Sequence, residues 1–158
     1  LGVKSKVSVD IGSVRLTERF LKNSPPSSLG VSQALGFIRS HVLQFDPLSS
    51  TARLIGVAGT LTTLASIDLN LPSFEREKVN GHVLTYDAVH TILNRLRIKT
   101  LDELRSVPQI TPERADILLA GILILLETMN HVNANEITVS DKGLRFGILL
   151  KELRGMRP

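Results

Sequence analysis

The segment from Arg53 to Leu64 predicts a buried strand that turns sharply into a helix. An apolar, β-prone run ends in a Gly-x-x-Gly-Thr turn, residues 56–60, and a helix-forming run follows it. Gly56 and Gly59 would allow positive φ angles and close approach of a bound group. Thr60 is the predicted cap of the helix, whose first N–H groups could bind an anion. A strand–helix turn without any ligand is the alternative reading, and the turn pattern alone favours it.

The rest of the chain alternates strands and helices without a repeat or an internal linker. This order predicts one α/β domain in which helices cover a mixed sheet. The predicted strands are residues 7–14, 52–57 and 136–140. The predicted helices are residues 30–43, 60–67, 86–96 with Thr85 as cap, a short helix capped by Thr100, 111–129 with Thr111 as cap, and 143–153. Residues 117–126 are apolar on nearly every face and should form the most buried helix.

Composition limits the classes of partner. The 158 residues suffice for one domain with a hydrophobic core, and the net charge of +4 favours an anionic partner such as phosphate or a nucleotide. Only 4% of residues are aromatic, whereas single strands of nucleic acid are usually held on stacked aromatic rings, so no nucleic acid is expected. No apolar run is long enough to span a membrane. The lack of cysteine excludes disulfides and suits the cytoplasmic location that we expect.

Five segments carry a resemblance to a known family when they are read in this order and spacing. They are residues 9–18 (VDIGSVRLTE), 56–64 (GVAGTLTTL), 80–84 (NGHVL), 112–116 (PERAD) and 139–145 (VSDKGLR). Together they resemble the exopolyphosphatase and guanosine pentaphosphate phosphatase family of the actin-like, ribonuclease-H-like superfamily. The resemblance spans residues 8–153. It implies half of an actin-like fold and Mg²⁺-assisted hydrolysis of the terminal phosphoanhydride of polyphosphate, or of the 5′ phosphate of guanosine pentaphosphate.

The resemblance further implies that residues 1–158 form the second, C-terminal domain of a two-domain phosphatase. Family members have two related halves with the active site between them. The phosphate loop and the water-activating acidic residue of the first half do not occur in this sequence, and neither does the Asp-x-Gly-Gly-Gly-Ser hairpin of the second half. We therefore expect a missing N-terminal domain as partner, and no catalytic residue or metal ligand within this chain. Asp10 falls on the strand after that hairpin, which excludes it as a metal or phosphate ligand.

The predicted phosphate- or nucleotide-binding residues are Gly56, Ala58, Gly59, Thr60 and Arg145. The first four match the second-domain turn that faces the nucleotide in actin-like proteins. Arg145 follows a predicted strand end, from which it could reach a phosphate.

Polar residues outside that set are expected to be structural. Arg15 and Glu18 should pair with each other, and Arg114 and Asp116 should make polar contacts at the start of the buried helix. Asp141 should anchor the last helix.

Two functions remain open on the sequence. One is part of a phosphoanhydride hydrolase that releases terminal phosphate from polyphosphate or guanosine pentaphosphate, with this chain inactive by itself. The other is a non-catalytic domain that senses or binds a polyanion or a nucleotide and acts with a partner chain. A sheet that lacks its opening strands would expose an edge, which also favours a homodimer.

Overall fold

The computed structural model describes residue 3 and residues 5–44, 46, 47, 49 and 52–155. Helices dominate this part of the chain, and three short strands separate them. The elements, in chain order, are α1 (Ser13–Phe20), α2 (Ser28–Val42), β1 (Ile55–Val57), α3 (Gly59–Asp68), α4 (Arg76–Val79), β2 (Val83–Thr85), α5 (Tyr86–Leu96), α6 (Leu101–Arg105), α7 (Pro112–Ala115), α8 (Leu118–His131), β3 (Glu136–Ser140) and α9 (Leu144–Gly155).

The strands form a mixed sheet, as the sequence predicted. Their order is β1–β3–β2, and β2 was not among the predicted strands. The central strand β3 runs parallel to β1, with Val57 opposite Ser140, and antiparallel to β2, with Leu84 opposite Ile137. Along the described chain, the outer edge of β1 has no strand partner. This edge is compatible with the expected homodimer, which stays a prediction.

One face of the sheet supports the core. Because side chains alternate across a strand, Gly56, Leu84, Ile137 and Val139 share one face, and all four are buried. Helix α3 packs on strands of this sheet, and α5 packs on α3 and β2. Side chains on the opposite face are largely exposed, and Ile55 is an example.

Helix α8 is the centre of the core, and the prediction for residues 117–126 is confirmed. It packs against α1, α2, α3, α5 and α7. Its apolar residues face neighbours on nearly every side, and the buried ones are Leu118, Leu119, Ala120, Gly121, Ile122, Leu123, Leu125, Leu126 and Met129. An apolar helix with no polar face is stable in water only when other elements surround it.

The predicted strand at residues 7–14 is wrong. Residues 5–9 form no strand, and residues from Ser13 onward belong to α1, which buries Leu16 against the core and packs on α8. A strand needs a neighbouring strand for its backbone N–H and C=O groups, and none lies beside residues 5–9 in the described chain. The expected Arg15–Glu18 pair is also wrong, since Arg15 forms a salt bridge with Asp10.

The predicted helix 111–129 is divided into α7 and α8. Asp116 and Ile117 form a turn between them, and the Thr17 hydroxyl donates a hydrogen bond to the Asp116 carbonyl over 3.4 Å. Thr111 holds the N-cap position of α7, but its side chain makes no capping hydrogen bond. The predicted caps at Thr85 and Thr100 are confirmed, the latter within a complete capping box.

Helix α9 differs from α8 in its surroundings. All its described side chains, from residue 144 to residue 153, are exposed, although several are large and apolar. Within the described chain, no helix is long and apolar enough to cross a bilayer.

Candidate functional site

The two segments that hold the predicted site residues leave the sheet side by side. Strands β1 and β3 are adjacent and parallel, and their last residues, Val57 and Ser140, are paired. Residues 58–60 follow β1, and residues 141–145 follow β3. In open α/β sheets, ligands bind beyond the carboxyl ends of parallel strands. The fold therefore brings both predicted segments to the end of the sheet where a ligand is expected.

The 56–60 turn has its unusual backbone at Ala58. This residue has φ 83° and ψ 177°, a region that is nearly restricted to glycine. The expected positive φ at Gly56 or Gly59 is wrong, because Gly81 is the glycine with positive φ in the described chain. A non-glycine residue in this region stores about 1–3 kcal/mol of strain, and such strain is concentrated at functional sites.

Gly56 and Gly59 lack side chains for two different reasons. A Cβ on Gly56 would point into the core, 2.7 Å from Ile137 Cδ1 and 2.8 Å from Leu61 Cγ. A Cβ on Gly59 would overlap the guanidinium of Arg114. Packing therefore accounts for the first glycine, whereas the second makes room for a cationic side chain.

Arg114 extends from α7 to the start of α3. It is half-buried, and its guanidinium makes no hydrogen bond or salt bridge to any residue that the structure describes. The first N–H groups of α3 receive no side-chain cap, so they add partial positive charge at the same place. A cation beside a helix N-terminus is unfavourable unless an anion lies between them. The sequence predicts a structural polar contact for Arg114, and the motif at residues 112–116 is the signal that could have marked it as a candidate site residue.

Thr60 is not the cap of α3, as the sequence had predicted. Ala58 occupies the N-cap position, and Thr60 is the second residue of the helix, after Gly59. A Cβ on Gly121 would overlap the Thr60 side chain, so α3 approaches α8 closely at this point. This contact fixes the direction in which α3 leaves the sheet.

Arg145 lies in the first turn of α9 and is exposed. The shallow groove beside Ala58 and Thr60 is lined by Ser13 of α1, by Leu54 and by residues of β1, α3, α8 and β3, and no described residue of α9 joins it. Arg145 is thus at the same end of the sheet as the 56–60 turn but is not part of the groove wall.

Asp141 is held in place by a salt bridge and by a backbone hydrogen bond, and the sequence predicted neither partner. Its side chain is only 6% exposed, and its Oδ2 lies 2.6 Å from Arg76 Nε. Its backbone N–H donates to Asn80 Oδ1 at 3.3 Å, which ties the end of β3 to the loop before β2. Asp141 Oδ1 has no hydrogen-bond partner among the described residues.

The described residues do not suit the Mg²⁺ that the resemblance implies. No group of three or more His, Cys, Asp or Glu side chains in the described part of the chain could hold a metal ion. The buried carboxylate at this end of the sheet, Asp141, is already paired with a guanidinium.

Comparison with known proteins supports the resemblance. Residues 2–155 match the Ppx/GppA phosphatase family. The chain is 28% identical over 155 residues to "Exopolyphosphatase 2" of Mycobacterium tuberculosis, covering 94% of this chain and 49% of that protein. It is also 28% identical over 154 residues to a "Bifunctional 3-dehydroquinate synthase/phosphatase" of Fusobacterium nucleatum, covering 95% of this chain and 23% of that protein.

A solved structure of a member of the same family also resembles this chain. The Ppx/GppA family member of Aquifex aeolicus superposes with a TM-score of 0.92 at 32% sequence identity, covering 99% of this chain and 51% of that one. The chain thus spans about half the length of this neighbour and of the mycobacterial relative. The fold and the sequence match together show that this chain belongs to the Ppx/GppA phosphatase family.

Proposed function

We propose that this chain is the phosphate-binding half of a hydrolase that releases the terminal phosphate of inorganic polyphosphate. Ala58, Gly59 and Thr60 would present backbone N–H groups to phosphate oxygens, and Arg114 would neutralise their charge. The observation that carries this proposal is the guanidinium of Arg114, which has no partner among the described residues and lies against the first residue of α3. Guanosine pentaphosphate presents the same terminal phosphoanhydride chemistry and is the second substrate to test.

Phosphoryl transfer depends mainly on positioning and on neutralising charge on the phosphate oxygens. The 56–60 turn and Arg114 offer both, and Arg145 could approach the same phosphate chain from α9. A hydrolase also needs a positioned water and a general base. Asp141 is a poor base because Arg76 already binds its carboxylate.

We infer that the base and the Mg²⁺ ligands belong to a first domain outside this chain. The relatives that span about twice its length support this division of labour. This chain alone would then bind a polyphosphate without hydrolysing it, which is also how the alternative function, a polyanion-sensing domain, would behave. The absence of cysteine suits a reducing compartment, and we propose the cytoplasm.

Calorimetric titration of the chain with tripolyphosphate tests the binding step. Arg114→Gln should weaken binding by about ten- to a hundredfold, since hydrogen bonds to charged groups contribute about 1.5–3 kcal/mol. Arg95→Gln removes an equal charge from an exposed position on α5 and should leave the affinity unchanged. Equal affinities of the two variants would contradict the proposed site.

Catalysis is tested by phosphate release from tripolyphosphate in the presence of magnesium. The chain should show no turnover above the blank while still binding the same compound. Supplying the first half of the mycobacterial relative as a fusion should restore turnover if this chain is part of a hydrolase. Binding that persists without any turnover in the fusion would favour the sensing domain.

A further inference from the structure

A second cavity lies between α2, α5 and α8, beneath the loop that connects α1 to α2. Its volume is about 200 Å³, and none of its described lining residues belongs to the groove beside the 56–60 turn. Leucine is the commonest residue of the lining, and the leucines are Leu21, Leu35, Leu93, Leu119, Leu123 and Leu126. A dry apolar cavity of about 150 Å³ admits benzene, so this larger cavity has room for one aromatic ring or for two fused rings.

One wall of the cavity is a polar stripe on α5. Tyr86, His90, Asn94 and Arg97 follow one another at intervals of three or four residues, so they share one face of the helix. The rings of Tyr86 and His90 stack with their centroids 6.3 Å apart. Asn94 Nδ2 lies 3.1 Å from His90 Nδ1. These contacts hold the stripe in place without using the Tyr86 hydroxyl, which makes no hydrogen bond to any other described residue.

The charges around the cavity are unbalanced. Glu127 on α8 is only 12% exposed, but Arg39 neutralises it with two hydrogen bonds, Nε to Oε2 at 2.7 Å and Nη2 to Oε1 at 3.0 Å. The guanidinium of Arg97, at the end of α5, makes no hydrogen bond or salt bridge with the residues that the structure describes. The cavity therefore combines an apolar floor with one uncompensated positive charge at its rim.

We propose that this cavity binds a small aromatic monocarboxylate. Its ring would rest on the leucines, and its carboxylate would pair with the Arg97 guanidinium. An inorganic phosphate chain would leave the leucine floor uncovered, so an apolar body is required. This ligand class is independent of the polyphosphate proposed for the 56–60 turn.

The test is a titration of the ¹⁵N-labelled chain with 1-naphthoate, followed by amide chemical shifts. Saturable shifts should be concentrated in α5, α8 and the loop at residues 21–26. The neutral isostere 1-naphthamide should bind about tenfold more weakly, because it lacks the charge that Arg97 recognises. Shifts that are absent, or concentrated elsewhere, would overturn the proposal, and so would equal affinity for the two compounds.

Two variants test separately how much the Arg97 charge and the apolar cavity contribute to binding. Arg97→Gln should weaken 1-naphthoate about tenfold and leave 1-naphthamide unchanged, whereas the matched Arg95→Gln should affect neither. Leu35→Trp places a larger ring in the cavity and should abolish binding of both compounds. Retained amide dispersion would show that this variant is folded, and unchanged 1-naphthoate affinity in it would refute the site.

Discussion

Gly59 lies directly beneath the guanidinium of Arg114, at a position where any side chain would overlap it. The two residues belong to different helices, α3 and α7, and meet only in the folded chain. Gly59 is thus explained by the arginine beside it rather than by a special backbone angle. The pair supplies the positive charge on which the proposed phosphate site depends.

Replacing Gly59 by alanine should weaken phosphate binding without changing the stability of the fold. The new methyl group would displace the flexible end of Arg114, so tripolyphosphate affinity should fall about tenfold. The melting temperature should change little, because a guanidinium can move without disturbing the core.

Gly36→Ala is the matched control for that substitution. Gly36 lies inside α2, and a Cβ there would meet nothing within 4 Å. It should raise the unfolding free energy by about 0.5–1 kcal/mol and leave binding unchanged. A Gly59→Ala variant that binds like the parent chain would contradict the role of Arg114.

Two isoleucines, one in α8 and one in α9, should respond very differently to truncation. Ile122 in α8 is 0% exposed, and Ile122→Ala should cost about 2–5 kcal/mol of unfolding free energy through lost burial and a residual cavity. Ile148 in α9 is 54% exposed, and Ile148→Ala should cost less than about 0.5 kcal/mol. Urea denaturation measures both changes, and similar costs would show that α9 is packed against another surface.

The salt bridge between Arg76 and Asp141 should stabilise the protein more than an ordinary surface salt bridge, although the Arg76 side chain is exposed. Arg76→Ala would leave a carboxylate that is 6% exposed with no partner among the described residues on either oxygen, at a cost of about 1–3 kcal/mol. The double variant with Asp141→Ala should recover part of that loss, because the orphaned charge is gone. Chemical denaturation of the four proteins of this cycle measures the coupling, and additive losses would exclude it.

The capping box of α6 should make stability depend on pH. The hydrogen bond from the Thr100 backbone N–H, followed by that from its hydroxyl, lowers the pKa of Glu103 below its ordinary value of 4.5. A lowered folded-state pKa stabilises the protein above the unfolded-state pKa, and the effect is lost as pH falls through the folded-state value. Glu103→Gln should therefore be less stable than the parent at pH 7 and equally stable at strongly acidic pH. A stability difference that does not change between these pH values would contradict this expectation.

Binding of tripolyphosphate should weaken as salt concentration rises. Its closely spaced negative charges interact with exposed and half-exposed arginines, which salt screens over about 10 Å at 0.1 M. Arg145→Gln should reduce the salt dependence if α9 approaches the ligand, whereas Lys151→Gln on the same helix should have a smaller effect. Affinity that is equal at low and high salt would argue against a polyanion.

Local sequence patterns determined much of this fold. The apolar run at residues 117–126 requires burial on all sides, and α8 is the central helix. Thr85 and Thr100 act as caps because capping needs only a hydroxyl and a backbone N–H a few residues away. The strand–turn–helix at residues 53–64 could also be predicted, because its hydrophobic pattern and its glycines lie within one short segment.

The tertiary structure decided whatever depends on partners distant in the sequence. A β-prone pattern at residues 7–14 does not form a strand, because a strand also needs a neighbour to receive its hydrogen bonds. The contact of Arg114 with Gly59, the salt bridge of Arg76 with Asp141 and the φ angle of Ala58 depend on how separate elements pack. Propensity and spacing are local, whereas the charge and shape of a binding site arise from the fold that brings such residues together.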